Sequence, residues 1–187
     1  IYTSKFKMKP KIIYPPKKSK KEILKFFENK NLNHLIDESK KPDLGVNEMI
    51  VKNPIKPELE DLYRLYQFVI LNKRTTILEF GSGWSSLVFS LALNELNKKF
   101  QNKIDNLRRN DPFKLFILEN SKEYLSISKK RIINHENKFK INLKKNLITR
   151  VSEVNMCNFN GRIATAYKYL PLCNPDFIYL DGPDQFN

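Results

Sequence analysis

Cysteine, histidine and long apolar runs are scarce in this sequence of 187 residues. It has two cysteines, Cys157 and Cys173, and two histidines. Two cysteines exclude a disulfide framework, and neither lies at metal-ligand spacing from another cysteine or a histidine. We therefore expect free thiols and a cytoplasmic location. No apolar run approaches the roughly 18 residues of a membrane span, and no apolar segment follows the N-terminal lysines as in a signal peptide. The sequence therefore predicts no membrane contact.

Arginine is also scarce, although the chain is strongly basic. Its 34 lysines and arginines face 20 acids, which gives a net charge of +14, yet only seven of the 34 are arginine. A positive excess favours nucleic acid or another anionic surface as a partner. Arginine, however, is the side chain best suited to phosphate and base contacts. Nucleic acid is therefore a less favoured partner than a small molecule, and the oligomeric state is left open.

Residues 1–56 are predicted to form a basic, partly helical extension. Prolines favour an extended chain over residues 1–18. Ser19 is a good N-cap for a helix over Lys20–Asn29, and a second helical segment is expected over Leu32–Glu38. The extension precedes the main domain, which we place at residues 57–187.

Helical and strand patterns alternate through the main domain. The expected elements are a helix over Pro57–Asn72, a strand over Thr75–Leu78, a helix over Ser85–Lys99, a strand over Phe113–Leu118, a helix from Ser121 to about Asn137, and strands over Leu147–Val154 and Pro175–Leu180. The segment Asn155–Pro171 is expected to be irregular and in part helical. Such alternation predicts an α/β fold, a Rossmann-like parallel sheet with helices on both faces. We expect the fourth strand beside the first, and a sheet that is incomplete at the C-terminus because the chain stops after four strands.

A glycine turn follows the first strand. Residues 75–86 read T-T-I-L-E-F-G-S-G-W-S-S. Gly81 and Gly83 permit unusual backbone angles and let a ligand approach the backbone closely. The helix that follows has free N–H groups and a positive dipole end at the same place. Strand, turn and helix together predict a nucleotide-type binding site.

Acidic residues lie at the ends of the strands. Glu79, Glu119 and Asp181 follow three of the strands, and Glu153 lies close to the end of the other. Ligands of open α/β sheets bind at the carboxyl ends of the strands, so these acids are candidate site residues. Glu119 is placed to accept hydrogen bonds from both hydroxyls of a ribose.

The dinucleotide fingerprint G-x-G-x-x-G is not met, because Ser86 stands where its third glycine would be. The pattern instead resembles the class I S-adenosylmethionine-dependent methyltransferases. Their first motif is an acid, one residue and G-x-G at the end of the first strand, matched here by E-F-G-S-G at residues 79–83. Their second is an acid that ends the second strand, matched by Glu119. The resemblance covers about residues 57–187.

The resemblance implies S-adenosylmethionine as the cofactor and methyl transfer to an acceptor, for which we expect a small molecule. Glu119 would bind the ribose, Asn120 and Glu153 would lie near the adenine, and Asp181 would be the catalytic or acceptor-contacting residue. The cofactor-binding residues that it implies are Glu79, Gly81, Ser82, Gly83, Trp84, Ser85, Glu119, Asn120 and Glu153.

Several alternatives stay open. The sequence Asp181-Gly182-Pro183 is equally typical of a turn that ends a strand. Some small-molecule O-methyltransferases of this class hold a divalent metal with an acid at this place, so metal use is open too. The chain would otherwise be a Rossmann-like domain for another nucleotide, such as NAD or a sugar nucleotide, or a noncatalytic basic module that binds nucleic acid.

Overall fold

The computed structural model describes residues 11–42, 55–106 and 110–183. The strands are β1 Thr76–Phe80, β2 Lys114–Glu119, β3 Leu147–Val151, β4 Val154–Phe159, β5 Arg162–Tyr167 and β6 Phe177–Leu180. Four of them form a parallel sheet in the order β3-β2-β1-β6. The predicted α/β fold with a parallel sheet flanked by helices is confirmed, and the fourth strand of the sheet lies beside the first as expected.

The helices are α1 Lys20–Asn29, α2 Asn33–Ser39, α3 Leu59–Leu71, α4 Trp84–Phe100 and α5 Lys122–Phe139. Ser19 caps α1 in a reciprocal capping box with Glu22, and the Ser121 hydroxyl caps α5 by accepting from the Tyr124 N–H. The predicted start of α3 at Pro57 is wrong. The helix begins at Leu59, because Glu58 takes the extended backbone of an N-cap residue.

The helices pack against one face of the sheet. Buried residues of every helix named above join a single core cluster with Ile77, Leu115 and Ile117, which share that face. On the other face, Leu78, Phe116 and Leu118 are buried in the middle of the sheet, whereas Ile178 is 58% exposed and Leu180 is 72% exposed on β6 at its edge. The prediction of helices on both faces is therefore wrong for the described residues. The reason is that the connection from β3 back to β6 contains no helix.

A β-hairpin takes the place of that helix. Strands β4 and β5 pair antiparallel, so the predicted irregular or helical structure over Asn155–Pro171 is wrong. Asn160 and Gly161 form the two-residue turn with φ values of 52° and 78°. Positive φ at both positions matches the twist of a hairpin, and asparagine followed by glycine is its strongest short-range signal. The predicted strand over Leu147–Val154 likewise divides, since its last residue opens β4.

Asp176 joins the amino ends of β1 and β6, which are neighbours in the sheet. Its Oδ1 accepts from the backbone N–H groups of Thr75 and Thr76, each at 3.0 Å, and its own N–H donates to the Thr76 carbonyl at 2.9 Å. The residues so joined are 100 positions apart in the chain. Asp176 therefore sets the register of β6 on β1 before the strand begins.

Three further expectations concern the cysteines, a membrane span and the residues ahead of α1. Both Cys157 and Cys173 are free, as expected. Within the described ranges, no helix has the length and apolar character that crossing a membrane requires. Residues 11–18 lie in no helix or strand, and residues 1–10 lie outside the described part of the structure, so the extended chain stays a prediction.

Candidate ligand-binding site

The loop after β1 is held against the loop after β6. Gly81 has φ of +90°, a conformation that side chains rarely adopt, and a Cβ atom there would lie 2.9 Å from the Asp181 carbonyl carbon and oxygen. Gly83 differs, because a Cβ on it would meet only the Ser85 hydroxyl, at 3.7 Å. The fold therefore requires glycine at position 81. At position 83 the surrounding atoms would leave room for a side chain.

Glu79 lies beneath this loop with no exposed surface. Its carboxyl oxygens accept hydrogen bonds from the hydroxyls of Ser85 at 2.5 Å and Ser86 at 2.7 Å. Burial raises the pKa of Glu79 to about 8, although both hydroxyl groups act to lower it. The Ser86 hydroxyl also accepts from the Gly83 N–H at 3.2 Å. Glu79 thus fixes the first turn of α4 to the end of β1.

Glu119 connects the end of β2 to the same loop. One of its oxygens, Oε1, accepts from the backbone N–H groups of Asn120 at 2.8 Å and Ser121 at 3.0 Å. The other, Oε2, accepts from the Ser82 hydroxyl at 2.7 Å. The side chain is only 3% exposed. Beside it, the Asn120 side-chain oxygen is buried and has no hydrogen-bond partner in the described part of the chain.

Asp181 completes this edge of the sheet. Its N–H continues the pairing of the strands by donating to the Phe80 carbonyl at 2.8 Å, and its backbone touches Gly81. The residue is exposed at the rim, and partial burial of its carboxyl raises the pKa of Asp181, with a further contribution from the charge of Glu119. The candidate catalytic acid and the glycine loop are therefore neighbours.

The charges around the loop are of one sign. Glu79, Glu119 and Asp181 form no ion pair with any described residue. The charges that shift the pKa of Glu79 belong to Asp181 and Glu119, and both raise it. This small region is negative even though the whole chain is strongly basic. Such a region favours a cation and disfavours an anion.

Two residues of the predicted set lie elsewhere. The Trp84 indole faces α5, where the Arg131 guanidinium lies 3.6 Å from the ring centroid, and its N–H donates to the Ile55 carbonyl. Glu153 is exposed at the base of the hairpin, where its carboxylate pairs with Lys168 at 3.2 Å. The contacts of both side chains are therefore with other parts of the chain and not with the glycine loop.

Tyr167 lies beside the loops that follow β1 and β6, although the sequence analysis did not predict it as a site residue. Its ring packs on Phe80 with centroids 5.4 Å apart, and its hydroxyl lies 3.2 Å from the position of a Cβ on Gly182. Burial raises the pKa of Tyr167 to about 12, although the nearby Gly81 backbone acts to lower it. The turn residues Asn160 and Gly161 were the signal that could have placed it, because the hairpin brings the end of β5 to this edge.

Among the described residues, no group of three or more histidine, cysteine, aspartate or glutamate side chains is arranged to hold a metal ion. Comparison with known proteins adds no relative: no family model, curated protein or solved structure matches the chain.

Proposed function

We propose that the chain binds S-adenosylmethionine at the Gly81–Gly83 loop and transfers its methyl group to a small-molecule acceptor. The observation that carries this proposal is the unpaired negative charge of Glu119 and Asp181 beside a glycine loop at the carboxyl ends of β1 and β6. A sulfonium ligand carries a positive charge, whereas NAD and sugar nucleotides carry a negatively charged pyrophosphate. Carboxylates at the loop attract the positive sulfonium and repel the negative pyrophosphate.

The residues present fit the cofactor at three points. The buried Asn120 oxygen lacks a partner, which an adenine amino group would supply. Glu119 lies where a ribose would be bound in the fold. Gly83 leaves the space beside the backbone open, which suits a ligand that approaches the loop closely. When bound, S-adenosylmethionine supplies an electrophilic methyl group.

The chain itself contributes positioning and charge. Methyl transfer depends mainly on holding the acceptor nucleophile in line with the methyl carbon. We place this acceptor beside Asp181, the acid at the rim of the site. Its carboxylate accepts the proton that a hydroxyl acceptor loses, or the proton that an amine acceptor loses once methylation has made it an ammonium group. The raised pKa of Asp181 makes it a better base than an ordinary aspartate.

Ligand binding tests the first half of the proposal. We expect isothermal titration to show that S-adenosylhomocysteine and S-adenosylmethionine bind, and that NAD and sugar nucleotides do not. Glu119→Gln keeps the shape and an oxygen for the two N–H donors but removes the charge, so affinity should fall by about 1.5–3 kcal/mol. Glu123→Gln, an exposed change in the first turn of α5, is the control and should have no effect. A preference of the wild type for NAD would exclude the proposal.

Asp181→Asn tests the second half. The amide has the size of the carboxylate but accepts no proton, so binding of S-adenosylhomocysteine should stay within about threefold while transfer to an acceptor falls about 10²-fold or more. The measurement is methyl transfer from labelled S-adenosylmethionine to a panel of hydroxyl and amine acceptors. Full transfer by Asp181→Asn would leave Asp181 as a turn residue only.

A further inference from the structure

Glu119 has every one of its oxygens engaged by the chain itself. Two backbone N–H groups occupy Oε1, and the Ser82 hydroxyl occupies Oε2 at 2.7 Å. Since the side chain is only 3% exposed, little of the carboxylate is free for another donor. A ribose hydroxyl that binds Glu119 at Oε2 therefore meets a largely buried oxygen that already accepts one hydrogen bond.

We propose that Ser82 is a positioning residue that holds Glu119 in the ligand-free protein and releases Oε2 to a hydroxyl group of the ligand. The inference rests on the proposed function, because it takes the ligand to be a nucleoside with a ribose. It assigns Ser82 a role opposite to that of a cofactor-binding residue, since Ser82 competes with the ligand for the same acceptor.

The exchange is sterically simple. Ser82 is half-buried and lies between two glycines, and a rotation about its Cα–Cβ bond is enough to move the hydroxyl away from Glu119. Its neighbour Gly81 is fixed against the loop after β6, so the backbone stays in place while the side chain turns. One hydroxyl replaces another, and the buried carboxylate keeps a donor in both states.

The competition also fits the charge of Glu119. A buried carboxylate oxygen without a donor is costly, and Ser82 supplies the donor to Oε2 when no ligand is bound. The same bond reduces the gain from binding, because the ligand must replace a charge-assisted hydrogen bond rather than fill a vacant acceptor. Removal of the Ser82 hydroxyl should consequently strengthen binding and weaken the ligand-free fold.

The test is Ser82→Ala, with Ser126→Ala on the exposed side of α5 as the control. We expect Ser82→Ala to bind S-adenosylhomocysteine about three- to tenfold more tightly than the wild type by isothermal titration. The gain should recur with adenosine and vanish with 2′,3′-dideoxyadenosine, which lacks both ribose hydroxyls. The melting temperature of the ligand-free Ser82→Ala variant should fall, whereas Ser126→Ala should leave the affinity unchanged and should not lower the melting temperature, because alanine is the better helix former.

The outcomes separate the two proposals. A wild-type protein that binds neither S-adenosylhomocysteine nor adenosine overturns the proposed function and this inference with it. A wild-type protein that binds both, with a Ser82→Ala variant of equal or weaker affinity, overturns the inference alone and makes Ser82 an ordinary binding residue. A gain that persists with 2′,3′-dideoxyadenosine also overturns it, because the ribose hydroxyls would then play no part.

Discussion

At the scale of single residues, Glu79 is the most unusual group in the structure. It is a carboxyl group without solvent contact, held by two serine hydroxyls and surrounded by further carboxylates. Desolvation dominates over these hydrogen bonds, so the neutral form is favoured and the pKa rises to about 8. The protonated form is thus favoured by burial, whereas the hydrogen bonds from the serine hydroxyls of the loop favour the ionised form.

This raised pKa predicts how stability depends on pH. The pKa of the same side chain is 4.5 in the unfolded chain and about 8 in the folded protein. Between these values the unfolded state binds fewer protons than the folded state, so Glu79 makes the free energy of unfolding fall as pH rises. The slope from one such group is at most about 1.4 kcal/mol per pH unit.

Glu79→Gln removes that contribution and should flatten the curve between pH 5 and pH 8 by about that slope. Urea denaturation of both proteins at several pH values measures the difference. Glu28→Gln, an exposed change on α1, serves as the control with wild-type behaviour. Parallel curves for wild type and Glu79→Gln would show that Glu79 ionises normally despite its burial.

At the scale of elements, hydrogen bonds hold the chain ahead of α1 near the amino ends of the strands, whereas the site lies at their carboxyl ends. The Ile13 N–H donates to the Asn72 side-chain oxygen at 2.9 Å, and the Asn72 amide donates to the Ile13 carbonyl at 2.8 Å. Asn72 ends α3 and leads into the amino end of β1, whereas the ligand site is at the carboxyl end. These contacts therefore lie at the edge opposite the site.

Deletion of residues 1–18 should accordingly leave the affinity for S-adenosylhomocysteine within about twofold, and should lower the melting temperature by a few degrees because two hydrogen bonds to α3 are lost. Ser19 stays in the shortened chain, so the cap of α1 is kept. Titration and thermal denaturation give the two quantities. A loss of affinity well beyond twofold would mean that the deleted residues contact the ligand.

The elements also show what local pattern can predict. Helices and parallel strands follow from periodicity and caps, and Ser19 and Ser121 began their helices where the sequence placed them. The hairpin was overlooked because its strands are short and largely exposed, so that apolar residues such as Met156, Phe159 and Ile163 follow no buried pattern, and only Asn160-Gly161 marks it. Because this hairpin forms the crossover to β6, the crossover adds no helix to the second face of the sheet.

At the scale of the whole molecule, the net charge of the chain is positive, whereas the charge at the candidate site is negative. The net charge of +14 describes a lysine-rich surface, whereas the described site contains carboxylates without a cation beside them. The sequence could predict the acids at this edge, because parallel strands end together. It could not predict the bond between Ser82 and Glu119, which depends on the register that sets Phe80 opposite Leu118. Nor could it predict the exposure of Glu153, because its ion pair forms with a hairpin residue.

The tie that Asp176 makes across the sheet has a consequence for the order of assembly. Thr76 is bonded to Asp111 over 35 residues and to Asp176 over 100. Closing the longer loop costs about 0.9 kcal/mol more chain entropy, so β1 and β2 are expected to associate before β6 joins them. During synthesis this edge of β1 stays open until β6 has left the ribosome. Gly81 meets Asp181 only when β6 joins, so the site forms after β1 and β2 have paired.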